Sequence, residues 1–192
     1  ERGHENWVTH VKALLCDCGF GLVWLYGGVV DEKSFLREFK DRLRANFGQR
    51  WFAHLQESAR FGVYHSFKNC IGREPYLDTI RVSIYRTALA RFRMGVSPFN
   101  AHKYFFAHHD SSRICPFCPD KIENEVHVVA ECTMYETIRE RYVSLDMQGN
   151  LQDQINSLLR TEDETKMVSL AKFLYLAWRS RIARLQLERD EG

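Results

Sequence analysis

Apolar residues recur at helical spacing along most of the chain. Between residues 6 and 18, Trp7, Val8, Val11, Leu14, Leu15 and Cys18 share one face of an amphipathic helix that Gly19 ends, a stripe expected to serve as ordinary core. Residues 21–26 are a short apolar run closed by Gly27 and Gly28, expected as a turn of helix tucked under its neighbours. From Asp31, a candidate N-cap, Phe35, Phe39, Leu43, Phe47, Trp51 and Leu55 follow at intervals of four. That interval drifts about 40° per step against a 3.6-residue helix, so the stripe winds around the cylinder. Either partners wrap this helix on several sides or it bends near Gly48, where glycine costs about 1 kcal/mol. Phe47, Trp51 and Phe52 would suit base stacking, but core is the plainer reading of such a cluster.

Residues 61–76 lack periodicity and contain Gly62, Gly72 and Pro75, so a loop with short helical turns and an internal boundary are expected there. Helical spacing resumes over 79–94 with Ile80, Ile84, Leu89 and Phe92 as anchors, and Ser97-Pro98 is a cap and first-turn proline for another helix. Thr133 to Glu136 has the form of a capping box opening a helix over 133–142, residues 146–150 a linker, and 151–159 a short amphipathic helix. A second box, Thr161 to Glu164, opens a last helix. Its Val168, Leu170, Ala171, Phe173, Leu174, Leu176, Ala177 and Trp178 are apolar on nearly all sides, which requires burial in this core or against a partner. Its charged end, 179–188, is expected in solvent. No repeat, low-complexity tract or convincing strand is read. The expectation is an all-α, single-domain protein: an N-terminal helical unit over 1–72, a basic helix with a metal knuckle over 73–145, and C-terminal helices over 146–192 packing on the same core.

A hydrophobic content of 45% in 192 residues excludes general disorder. No apolar run reaches the roughly 18 to 20 residues that span a bilayer, and no signal peptide is read. The chain opens at Glu1 directly into a helical pattern, so a piece of something longer is expected. Of six cysteines, Cys16, Cys18 and Cys70 lie outside the motif described next; this odd remainder gives no disulfide framework and favours a reducing, intracellular compartment, nucleus or cytoplasm. Cys16 and Cys18 differ by about 200° around a helix and do not readily share a metal.

The most informative stretch runs from Arg113 to Tyr142. Cys115, Cys118, His127 and Cys132 form a C-x2-C-x8-H-x4-C pattern, and three thiolates with one imidazole suffice for a closed tetrahedral Zn2+ site. The Cys-Pro-Phe-Cys turn aims two sulfurs at one point, and residues 123–131 read as a helix bringing His127 from the opposite side. On an ideal helix Cys132 lies about 140° round and roughly 7.5 Å along from His127, so it belongs where that helix ends. Four protein ligands leave no position for water, which makes the expected zinc structural.

Net charge is only +2, too mild to announce a polyanion partner, but its distribution is uneven. From Arg73 to Arg113 there are seven Arg or Lys against three acids, Glu74, Asp78 and Asp110. Arg81, Arg86, Arg91, Arg93, His102, Lys103 and Arg113, with aromatic neighbours and with His108 and His109 interleaved, resemble a phosphate-binding strip. Arginine suits bidentate phosphate contacts. No Tyr-x-Asp-Asp pair, Walker loop or Gly-x-Ser-x-Gly elbow is present. Glu125 precedes His127, the reverse of the deaminase order, so no catalytic role is read.

The runs Tyr85 to Met94, Arg113 to Cys118 and Glu125 to Tyr135 resemble the C-terminal zinc-binding region that follows the polymerase core in non-LTR (LINE-type) retrotransposon reverse transcriptases of animals. The block with Asn6-Trp7, Phe47-Gly-Gln-Arg-Trp51 and Glu57-Ser58 is similar to the helical segment upstream of that knuckle, so the resemblance covers most of the chain. It implies a non-catalytic module that helps a polymerase hold template RNA or target DNA, with Cys115, Cys118, His127 and Cys132 on zinc and the arginines from Arg81 to Arg93 facing nucleic acid. The polymerase core is missing here. The alternative reading is a zinc-stapled protein-interaction module that uses the apolar C-terminal helix.

Overall fold

The computed structural model describes residues 6–58, 61–68, 70–105, 112–146 and 148–190. Its helices are α1 (Trp7–Asp17), α2 (Gly21–Tyr26), α3 (Glu32–Glu57), α4 (Gly62–Phe67), α5 (Tyr76–Thr79), α6 (Ser83–Arg93), α7 (Asn100–Lys103), α8 (Glu136–Tyr142), α9 (Leu151–Arg160) and α10 (Glu164–Asp190). Between α7 and α8 lie two antiparallel strands, β1 (Ile114–Cys115) and β2 (Cys118–Ile122), then a π-helical turn (His127–Glu131) and a 3-10 turn (Thr133–Tyr135). The protein is therefore mostly helical with one small ribbon, which corrects the strand-free expectation. The chain forms two compact units, Glu1–Glu57 and Ser58–Gly192. This differs from the single domain with a seam at residue 72. Residues 62–67 belong with the second unit because α4 packs on α9 and Val63 and Phe67 lie against its core.

In the first unit Asn6 caps α1 by accepting from Thr9 N at 3.0 Å, and Gly19, at φ 82°, takes the left-handed turn that releases the chain. Asp31 caps α3 through Lys33 N at 3.0 Å, as its place in the sequence suggests. α3 runs unbroken through Gly48. Phe20 meets Phe35 and Phe39 edge-on at 5.3 and 5.9 Å, and Arg50 Nη2 reaches Asp17 Oδ2 at 3.1 Å. The α1 stripe is not the core it was expected to be: Trp7, Val8, Val11 and Leu14 are exposed, and only Leu15 and Cys18 are buried. Leu22, Leu25 and Tyr26 of α2 are exposed as well, not tucked away.

The second unit is built around α10, which contacts α5, α6, α8 and α9. Met167, Leu170, Ala171, Phe173, Leu174 and Ala177 are buried with Leu89 and Phe92 of α6 and Ile155 and Leu159 of α9. Each such large side chain contributes about 1.5–3 kcal/mol by leaving water. The expected capping box at Thr161 is displaced: Asp163 Oδ1 accepts from Lys166 N at 3.0 Å, so Asp163 is the cap. The helix expected over 79–94 runs only from Ser83 to Arg93 as α6; residues 80–82 lie outside any helix and separate it from α5. Arg86 Nη1 donates to Ile80 O at 3.1 Å and closes the α5 end.

Candidate metal centre

Cys115 and Cys118 face each other across the ribbon, the last pair before a two-residue turn at Pro116 and Phe117. Pairing across so short a turn sets both sulfurs on one side. His127 and Cys132 come from the π-helical turn: Cys132 N donates to His127 O at 2.7 Å, closing a ring one residue larger than an α-helix makes. The wider turn brings residue 132 back over residue 127, which an α-helix would leave about 140° apart. Cys132 then leaves in extended geometry, φ −61° and ψ 121°. The helical stretch starts at Glu125, not at residue 123, and the Thr133 box does not form: no side chain caps the turn at Cys132. Arg139 holds this end instead, donating from Nε to Val129 O at 2.9 Å and from Nη2 to Cys132 O.

The ligand atoms of Cys115, Cys118, His127 and Cys132 lie within 4.8 Å of one another, an arrangement that can hold one metal ion. Sγ of Cys132 is 3.9 Å from both Cys115 Sγ and Cys118 Sγ. His127 Nε2 is buried and has no hydrogen-bond partner, while Nδ1 lies 3.5 Å from Glu131 Oε2. An orphaned ring nitrogen beside three sulfurs, with a carboxylate behind the other nitrogen, is the arrangement of a metal-bound imidazole. Burial pushes the Cys115 and Cys132 thiols above their ordinary range. Cys16, Cys18 and Cys70 are not members of this cluster.

A buried ionic knot next to the centre went unread in the sequence. Glu123, fully buried at the end of β2, accepts from Arg181 Nε at 2.8 Å and from Asn100 N at 2.6 Å. Arg181 Nη2 also donates to Asn100 Oδ1 at 2.8 Å, so ribbon, α7 and α10 meet at these three residues. The end of α10 is thus mostly exposed, with Arg181 buried and Ser180 and Leu185 half-buried. Tyr135 is buried nearby and its hydroxyl has no partner.

The residues of the expected phosphate strip are scattered. Arg93 is buried, donating to Glu74 at 2.6 Å with its guanidinium 4.6 Å over Phe67 and 5.1 Å over Tyr76. His102 is buried: Ser97 N donates to Nδ1 at 3.3 Å, which places the ring proton on Nε2, 2.8 Å from Glu125 Oε1. Arg86, on α6, is half-buried against the end of α5. These three are engaged inside the protein, which corrects their expected place on a strip. Arg81, Arg91, Lys103 and Arg113 are exposed. Arg113 lies 5.3 Å over the Tyr104 ring, and Arg91 lies 5.8 Å over Trp178 on a separate groove. His108 and His109 fall outside the described residues.

Fold and site define a helical unit clasped by a Cys3His cluster that spans a ribbon and a π-turn. No protein-family profile matches the chain, and neither a curated protein nor a solved structure does.

Proposed function

We propose that residues 58–192 are a non-catalytic, zinc-stabilised module that binds nucleic acid, the accessory region with which a non-LTR retrotransposon-type reverse transcriptase holds template RNA or target DNA. Zinc fits the donor set. Three sulfurs and one imidazole make a closed tetrahedral site, and metal–sulfur bonds of about 2.3 Å set the sulfurs about 3.8 Å apart, close to the 3.9 Å found. Cys115, Cys118, Cys132 and His127 Nε2 would hold the ion. Bound there, zinc supplies charge that stabilises the buried thiolates and a cross-link, with no open position for a reacting water. The family assignment rests on motif order, from Tyr85–Met94 through Cys115–Cys118 to His127–Cys132.

The observation that carries nucleic-acid binding is the pairing of Arg113 with Tyr104 beside exposed Lys103, directly ahead of the ribbon that bears Cys115. Burial first, and then Arg181 and Arg189, hold the Lys103 ammonium below its ordinary range. Arg81 adds a further exposed charge. For the rival module, docking through the apolar C-terminal helix, Met167, Leu170, Phe173, Leu174 and Ala177 are buried within the unit itself, which leaves it only the α10 stripe of Tyr175, Trp178 and Ile182. Anisotropy titration of the zinc-loaded chain with labelled single-stranded RNA and duplex DNA at two salt concentrations tests the proposal. Affinity should fall with log-log slope of about 0.9 per phosphate engaged on duplex. No binding at low salt ends it.

A further inference from the structure

A groove of about 570 Å3 runs between α6 and α10 on the face away from their shared core. Its α10 wall is the stripe Tyr175, Trp178, Ile182 and Gln186, spaced to repeat along one face, and its α6 wall includes Ile84 and Arg91. The α10 stripe covers eleven steps, about 16 Å of helix. That accommodates roughly three turns of a docked helix, whose anchors fall at i, i+3 or i+4, and i+7.

Two properties identify the occupant. The surface is apolar: Ile84 is 46% exposed and Ile182 is 36% exposed, neither belongs to the core cluster, and Tyr175 and Trp178 stand beside them. The rim is cationic, with Arg91 and Arg179 lining the groove and no acid among the lining residues. The absence extends along both helices, since α6 contains no Asp or Glu and none occurs between Glu164 and Glu188. A polyanionic backbone would use the arginines but find nothing in the isoleucines, whereas an amphipathic peptide uses both. We propose that this groove docks an acidic amphipathic helix of a partner protein, apolar side chains on Ile84, Trp178 and Ile182 and carboxylates on Arg91 and Arg179. The inference is independent of the nucleic-acid reading, whose contacts Lys103 and Arg113 lie outside this groove.

A display library of random 16-residue peptides, selected against the zinc-loaded full chain, reads the chemistry directly. The expected winners carry apolar residues at i, i+3 or i+4, and i+7 flanked by Asp or Glu. Ile182→Glu should weaken them at least tenfold, and Arg91→Glu/Arg179→Glu should turn selection towards Lys- and Arg-rich sequences. Should Ile182→Glu not fold, the double charge reversal decides alone, because both arginines are exposed. Failure to enrich any peptide, winners without acidic residues, binding indifferent to these variants, or displacement of the winners by oligouridine would each overturn the inference. Loss of RNA binding on changing Lys103 and Arg113, with peptide binding intact, separates the two sites.

Discussion

Arg181 Nε donates to Glu123 Oε1 at 2.8 Å, with both side chains almost completely out of water. The two residues are far apart in sequence, yet they join the exit of the ribbon that carries Cys115 and Cys118 to the helix at the centre of the core. Neither charge has solvent to fall back on, so removing one strands the other.

Glu123→Ala is therefore expected to cost about 3–5 kcal/mol, more than a typical core truncation of a small residue, because Arg181 is left charged and unpaired. Replacing both, Glu123→Gln with Arg181→Met, should cost far less, since the burial penalty of both ions disappears together. Urea unfolding of the two variants checks this. Equal losses in the single and the double variant would contradict the account.

The Cys3His cluster should be required for the second unit to fold. Apparent zinc-binding free energies of about 10–16 kcal/mol rival the whole stability of a domain, about 5–15 kcal/mol. Elemental analysis should find one zinc per chain, and a strong chelator should remove helical circular dichroism. Cys132→Ser should abolish stoichiometric zinc. Unchanged ellipticity after verified metal loss would refute a structural role.

The Cys3His cluster was readable because the spacing of Cys115, Cys118, His127 and Cys132 is a local pattern, and helical stretches were readable because a 3.6 periodicity survives in α6 and α9. What was not readable is instructive. The π-turn depends on one shifted hydrogen bond, Cys132 N to His127 O, and no residue type announces it. The Glu123–Arg181 pair depends on tertiary proximity across 58 positions. Arg93 and His102 look like solvent-facing cations in a basic run, but only packing reveals that Glu74 and Glu125 receive them. The α1 stripe misled in the opposite direction, because amphipathic spacing says which face is apolar and not whether anything covers it.

Alkaline pH should destabilise the second unit through its tyrosines. Burial raises Tyr64, Tyr76 and Tyr135 above the ordinary phenol value, so the folded state keeps protons that the unfolded chain releases. With more protons on the native side, stability is full below about pH 10 and is lost as pH rises beyond it. Tyr135→Phe also deletes a buried hydroxyl without a partner, so at neutral pH it should be neutral or stabilising by about 1 kcal/mol. Thermal melts from pH 7 to 11 read both effects, and a steeper alkaline loss in Tyr135→Phe would reverse the sign predicted here.

Arg93 and Arg113 divide the two ways an arginine in a basic run can be used, and paired variants should separate them. Arg93 is buried against Glu74 and two rings, so Arg93→Gln should lower stability by about 2–4 kcal/mol while leaving nucleic-acid affinity unchanged wherever the protein remains folded. Arg113 and Lys103 are exposed, so Lys103→Ala/Arg113→Ala should change stability by no more than about 0.5 kcal/mol per site. The same double change should weaken binding across sequences and reduce the salt slope by about 0.9 for each phosphate no longer neutralised. Titration at two ionic strengths beside a denaturation curve distinguishes the cases. Affinity that drops with Arg93→Gln in a folded protein would put Arg93 back in the interface, and affinity that persists with its full slope in the double variant would remove Lys103 and Arg113 from it.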